Sequence, residues 1–294
     1  MELDLLEENQ IFGDKRLSIF DKYETRATIT DFSVLLGVFV SSTFYTSEGN
    51  RTCWWWTKTD DGDDDVRIVC NNGNRDYSIV NRRYIGVRPA LPYSSISNIF
   101  SNKEKSANGI LEVLYGEYPQ DIVDENYSRK LESAYNNGSL RTTGKSYTTD
   151  SVRYQDTDTS FSARTHAEYE YNGQKFIRFV GGSNGTSEVL SDGREIKKGE
   201  IYWVKVEPII WLVDEEKDIA ITKKIIVSGV QFNKERKYKG DFKNTDLYKF
   251  MNTYLIKDMF DNVSINKKED NNKEFVSINN KIKTLRKRID NIRK

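Results

Sequence analysis

The chain has 294 residues, with 45 basic and 45 acidic side chains and so no formal net charge. At 31% charged and 37% hydrophobic it reads as a globular chain of one or two domains, and no apolar run approaches the roughly 18 residues of a membrane span. Balanced charge argues against a dedicated nucleic-acid binder. The single histidine, His166, and the two cysteines, Cys53 and Cys70, are too few for a four-ligand structural zinc site. They also restrict any Ser-His-Asp or Cys-His chemistry to His166.

In chain order, residues 1–95 come first. Thr30 and Asp31 are good N-cap residues for a short buried helix in the apolar segment 29–40, with Gly37 as its end and Val38–Val40 as a strand. Trp54-Trp55-Trp56 reads as a strand with Trp54 and Trp56 on the core face. Trp55 is left to the other face, where it could stack on a sugar or a partner. Residues 66–70 alternate as a strand, Asn71-Asn72-Gly73-Asn74 is a turn, and residues 77–80 return. Residues 84–88 form a last strand, stopped by Pro89. A polar segment, 96–109, reads as a linker.

Residues 110–262 read as a second, β-rich module. A strand opens it at 110–115. A helix follows over 124–137, with Asp124 as cap and Tyr127, Leu131 and Tyr135 on one face. A hairpin spans 167–180 and turns at Asn172-Gly173. Strands follow at 201–206, 209–213 and 219–222, then an amphipathic helix over 246–260 capped by Thr245 or Asp246. The fold class expected is α+β with short strands.

Residues 263–294 read as a hinge and a helical tail. Phe275, Ile278, Ile282, Leu285, Ile289 and Ile292 make an a/d heptad seam. Residues 281–294 carry seven basic side chains against Asp290 alone, a net of 7 − 1 = +6. A self-associating coiled coil, a helix packed on its own domain and a basic arm for an acidic partner all fit. Isoleucine at both a and d positions favours three or four strands over two, so a homo-oligomer such as a trimer is expected.

Four motifs carry a resemblance: Trp54-Trp55-Trp56, Gly86-Val87-Arg88-Pro89-Ala90-Leu91, Tyr115-Gly116-Glu117-Tyr118-Pro119-Gln120, and Trp203-Val204-Lys205-Val206-Glu207-Pro208-Ile209 with Trp211. Together they resemble an uncharacterised domain family of gut Bacillota and their phages. That family looks like the C-type-lectin-type fold shared by formylglycine-generating enzymes and the variable proteins of diversity-generating retroelements. This chain departs from it in motif order, with the Trp54–Leu91 half first, and in Thr57-Lys58-Thr59 after the tryptophans. Either the two halves form one permuted unit or each sits in its own domain; the expected architecture is the second, a C-type-lectin-like module and a β-rich module packed with it, followed by a coiled-coil tail.

The resemblance implies a diversified ligand surface within residues 60–85, drawn from Asp63, Asp65, Val66, Ile68, Cys70, Asn71, Asn72, Asn74, Asp76, Tyr77, Asn81, Tyr84 and Ile85. Asn, Asp, Ser and Tyr also suit adaptable recognition on physical grounds. An ordinary hairpin written by an AT-rich gene is the competing reading. Asp60, Asp61, Asp63, Asp64 and Asp65 could hold calcium, but a solvated acidic turn is the simpler reading and no cofactor is required. Arg82, Arg83 and Arg88 are candidate partners for those carboxylates. One buried and one surface cysteine are expected, and an isolated surface His166. Gly181-Gly182-Ser183-Asn184-Gly185 lacks the Lys-Ser/Thr of a phosphate loop and reads as a turn.

The resulting expectation is a non-enzymatic, phage-type receptor-binding or virion-decorating protein whose partner is a bacterial surface protein or glycan. It has no membrane span, no secretion signal, and a place in the virion or host cytoplasm. A structural protein with one fixed partner is the alternative. A copper enzyme of the formylglycine-generating type, using Cys53 or Cys70, is a third.

Overall fold

The structure is a computed structural model and describes residues 1–62, 64–97, 104–106, 108–151, 160–182 and 188–260. It is α+β, dominated by strands. The spine is β12 (Ile201–Asp214). One edge of β12 pairs with β8 (Leu111–Ile122). The other pairs with β11 (Gln174–Val180) near its start and with β13 (Ile219–Thr222) near its end. β11 leads on to β10 (Ala163–Tyr171) and β9 (Arg141–Asp150). β13 leads to β6 (Ala90–Pro92), and β7 (Glu104–Lys105) adds to β8, making eight strands.

The two strands expected at 201–206 and 209–213 are therefore one. Proline has no N–H for a ladder, yet Pro208 sits inside β12. Its lack is absorbed at a register shift between Pro208 and Ile210. There the Gln120 amide donates to the carbonyls of Glu207 (3.1 Å) and Pro208 (2.9 Å).

This pairing explains why two of the motifs occur together. Tyr118 lies opposite Glu207 and Glu117 opposite Pro208. The Trp211 indole N–H donates to Tyr115 O at 2.8 Å. Gly116 has φ 72°, and a Cβ there would stand 2.7 Å from the Phe260 ring and 2.8 Å from Met259 O. Gly116→Ala should therefore cost about 2–4 kcal/mol from clash and left-handed strain together, read as a lower urea midpoint at unchanged slope.

Two smaller sheets use the first third of the chain. β1 (Ala27–Ile29) lies between β2 (Thr52–Cys53) and β14 (Lys224–Ile225). β3 (Trp55–Gly62), β4 (Asp65–Val69) and β5 (Arg75–Ile79) form an antiparallel sheet, with β5 at its edge. The tryptophan run and the Gly86–Leu91 motif meet here. Gly86 N–H donates to Trp54 O (2.9 Å) and Trp56 N–H to Gly86 O (3.1 Å). A Cβ on Gly86 would meet the Ile225 side chain at 2.5 Å, so glycine makes room here for Ile225 to pack on the bridge. The strand expected at 84–88 is reduced to bridges at Gly86 and Val87, and the ladder starts after Pro89, as β6.

Two short helices lie in this part of the chain, α1 (Ile19–Lys22) and α2 (Asp31–Leu35). The Thr30 hydroxyl caps α2 by accepting from Ser33 N, and Gly37 at φ 96° ends it. Val38–Val40 is not a strand. α3 (Glu125–Asn136) is capped by Asp124 and buries Leu131 against Phe176 and Trp203. The helix expected at 246–260 starts at the Thr245 cap as α4 (Asp246–Phe250). It passes through a π-helical stretch, Met251–Leu255, into α5 (Ile256–Phe260). No described helix is long and apolar enough to cross a membrane.

Met1–Phe260 forms one compact unit. The expected division into modules 1–95 and 110–262 does not separate two bodies, because strands cross it. Thr28 of β1 pairs with Lys224 of β14, and Leu91 of β6 with Ala220 of β13. A buried ion pair joins Arg83 to Asp150. The seam residues Ile278, Ile282, Leu285, Ile289 and Ile292 lie outside the described residues, as do linker residues 98–103 and 107 and Ser183–Gly185.

Candidate ligand-binding face

The candidate residues of the β4–β5 hairpin divide by burial. Val66 and Ile68 point into the core, and Cys70 and Asn81 are also buried. These four are core positions, not display positions. Asp65, Asn71 and Tyr84 are partly exposed, while Asn72, Asn74, Asp76 and Tyr77 are exposed. Tyr77, at 56%, is the most exposed large hydrophobic side chain among the described residues. Asp63 lies outside them.

The backbone beneath these side chains is pinned. Cys70 N–H donates to Asn74 O (2.7 Å) and Gly73 N–H to Cys70 O (2.9 Å), closing the turn. Asn74 N–H donates to the Asn72 side-chain carbonyl at 2.9 Å. The Thr25 hydroxyl donates to Gly73 O at 2.6 Å. Gly73 has φ 88°, and a Cβ there would stand 2.8 Å from that hydroxyl oxygen, so the turn sits against Thr25 and Arg26. The Thr52 hydroxyl lies 2.7 Å from Phe44 O and 3.0 Å from Asn71 O. This brings the loop 41–51, with Phe44 40% and Tyr45 46% exposed, beside the hairpin tip.

The tryptophan run corrects the expectation most. The strand breaks at Trp54, between β2 and β3, so alternation does not run through 54–56. Trp55 and Trp56 are both fully buried, because both faces of β3 are covered. The Trp55 indole donates to Thr25 O (3.1 Å) and lies 5.1 Å from the Arg88 guanidinium, so it is a core residue and no ligand platform. Trp54 is the partly exposed one. Its ring stacks on Phe39 (4.9 Å, 30°) and leans on Tyr84 (5.8 Å, 54°), and Arg82 covers Tyr84 at 5.7 Å. Phe39, Trp54 and Tyr84 form a ladder of partly exposed rings.

The remaining candidates are structural in their surroundings. Both cysteines are buried free thiols, not one buried and one exposed. Cys53 points its thiol at Trp54 O (2.9 Å), and burial raises its pKa well above the usual range. Cys70 donates to Asp76 (3.3 Å); burial, then that carboxylate, pushes it up to about 12. His166 is buried, not on the surface. Its Nε2 lies 2.9 Å from the Thr149 hydroxyl and its ring stacks on Phe179. Arg83 pairs with Asp150, and Arg88 donates through Nε to Thr222 O (2.7 Å) between the rings of Trp55 and Phe20. In the Asp60–Asp65 turn Asp60 accepts from Gly62 N (2.9 Å) and Asp61 pairs with Arg67. No group of three His, Cys, Asp or Glu side chains that could hold a metal occurs among the described residues. No protein-family model, curated protein or solved structure matches the chain.

Proposed function

We propose that the chain is a non-enzymatic ligand-binding protein of receptor-binding or virion-decorating type. Its binding face is the hairpin tip and β5 (Asn72, Asn74, Asp76, Tyr77) with the neighbouring loop 41–51 and the Phe39–Trp54–Tyr84 ladder. The observation that carries this reading is the separation of roles in the hairpin. The backbone is held by Thr25, Thr52 and the turn's own hydrogen bonds, while four adaptable side chains reach solvent. A surface built this way changes its contacts without changing its fold, the property that retroelement-type diversification and antibody loops both need. The meeting of the tryptophan run with Gly86–Leu91 supports a C-type-lectin-like arrangement for this part of the chain. The partner is a bacterial surface protein or glycan, and the heptad seam 275–292 supplies a homo-oligomer.

Two measurements test the reading. Sequencing codons 50–95 across sister isolates should find variation at Asn72, Asn74, Asp76 and Tyr77. Val66, Ile68, Asn81, Trp54–Trp56 and Gly86–Leu91 should stay constant. An invariant 72–77 points to one fixed partner instead. Replacing the exposed Asn74 and Tyr77 by alanine, which leaves the Asn72 bond of the turn and the Cys70–Asp76 bond in place, should reduce adhesion to bacterial envelopes at least tenfold, with the melting temperature unchanged. Undiminished adhesion removes the hairpin from the binding face.

A further inference from the structure

We infer that Lys145 and Glu117 become joined after folding by an intramolecular isopeptide bond, an amide between Lys145 Nζ and the Glu117 carboxyl carbon. Lys145 lies on β9 and Glu117 on β8. The Lys145 side chain is 9% exposed, yet its Nζ has no hydrogen-bond partner. Nζ sits 4.8 Å from the centre of the Tyr147 ring, which meets the Tyr118 ring edge to face at 5.5 Å. Glu117 Oε1 is 3.7 Å away, beyond hydrogen-bond reach, and that oxygen already accepts from Lys175 Nζ.

A buried ammonium needs close hydrogen bonds to offset its lost hydration. Lys145 carries that cost without them. Burial lowers its pKa, although Glu117 and Glu168 oppose the shift. The amine is drawn toward its uncharged form, which is the nucleophile. A structural ion pair makes the opposite demand, a retained charge in tight geometry.

Lys175 completes the chemistry. Its side chain is 31% exposed and so exchanges protons with solvent. Lys145 first releases one proton to solvent, and its amine attacks Cδ of Glu117. The Nζ–Cδ bond forms and the Cδ–Oε1 bond breaks. Oε1 leaves as water, with one proton from Nζ and one from the Lys175 ammonium. Lys175 then regains a proton from solvent. The net change is one water lost from an ammonium and a carboxylate, and no oxidant or co-reactant is consumed. Folding holds the two groups in contact, which supplies the effective concentration that such a step lacks in free solution.

The bond also has a place in the fold. β9 ends the path β12–β11–β10–β9, and β8 pairs with the other edge of β12. Linking Glu117 to Lys145 closes these five strands into a covalent ring. The polar strand β9, with little apolar surface to bury, gains most from such a tie.

Mass spectrometry of the full chain, kept folded at mildly alkaline pH and denatured before injection, should give a mass about 18 Da below that of the sequence, one water. Digestion should release a branched peptide joining Glu117 to Lys145. Lys145→Arg keeps the charge but not the nucleophile. It should show its full sequence mass with unchanged circular dichroism. Glu117→Gln offers the same carbon with ammonia as the leaving group, and should fall about 17 Da below its own sequence mass. Lys175→Met should slow the bond's appearance after refolding by about tenfold or more, and an unchanged rate removes Lys175 from the step. A folded wild-type chain that stays at full mass overturns the inference. So does a water loss that persists in Lys145→Arg, which places the dehydration elsewhere in the chain.

Discussion

Asp31→Ala should lower the unfolding free energy by about 3–5 kcal/mol, and the melting temperature by roughly 10 °C for a unit of this size. Asp31 is fully buried at the start of α2 and joins three distant segments. Its carboxylate accepts from Arg51 Nη2 (2.8 Å), Ile122 N (3.2 Å), Ser191 N (2.7 Å) and the Ser191 hydroxyl. Removing it leaves the buried Ile122 N–H without its acceptor and takes from the partly exposed Arg51 guanidinium and from Ser191 the carboxylate that ties them together, and leaving a buried donor unmet is the costly half of a lost hydrogen bond. Asp31→Asn keeps one carbonyl oxygen and should cost about half as much. Urea unfolding of both variants reads this directly. A second consequence is local. Arg51 also donates to Val189 O, so losing Asp31 should speed hydrogen exchange in the 41–51 loop more than in β12. Equal changes in both places would show that Asp31 does not hold the binding face.

His166 should make the fold acid-labile well above the carboxylate range. Burial, and then the charge of Arg164, lowers its pKa from 6.5 to about 4. The folded state keeps the ring neutral while an unfolded chain protonates it near 6.5. Its contribution is therefore fully present above pH 6.5 and lost as pH falls from 6.5 toward 4. Between pH 6.5 and 5 the loss is about 2 kcal/mol. Carboxylates such as Glu132, held low by Arg178, act further down the scale. The test is the difference between wild type and His166→Gln in urea midpoints at pH 7 and pH 5. The variant should lose markedly less stability than wild type on acidification. Parallel losses would mean that His166 is already protonated in the fold.

Much of this architecture was legible, and the illegible parts share physical causes. Asp124, Thr30 and Thr245 cap helices because a short side-chain oxygen can reach an unpaired N–H, a local rule that reads directly from sequence. Asn172-Gly173 turns a hairpin with φ values of 53° and 75° for the same reason. Trp54 failed because alternation assumes an unbroken strand, and the break depends on Gly86, a residue far along the chain. β9 was missed because Arg141–Asp150 is polar throughout. Its buried members are satisfied by distant partners: the Tyr147 hydroxyl donates to buried Glu168, and Thr148 N–H to Asp258. The candidate face was half legible. Exposure of Asn72 and Asn74 follows from turn chemistry, but Asp76 and Tyr77 are exposed because β5 is an edge strand, and Phe39, Phe44 and Tyr45 come alongside through bonds to other segments. Burial of His166 left no trace in its polar neighbours.

The pairing of β1 with β14 also sets a clock for synthesis. Thr28 can pair early with Thr52, but it finds its second partner only when Lys224 has been made. At about 5–20 residues per second, the first strand waits roughly 10–40 seconds on the ribosome before its sheet can close. During that wait its apolar neighbours, Phe32 and Val34 among them, have no finished core to enter. Segments that emerge early and pair late are natural clients for a holding chaperone, and slowing translation should raise the aggregated fraction of this chain rather than lower it.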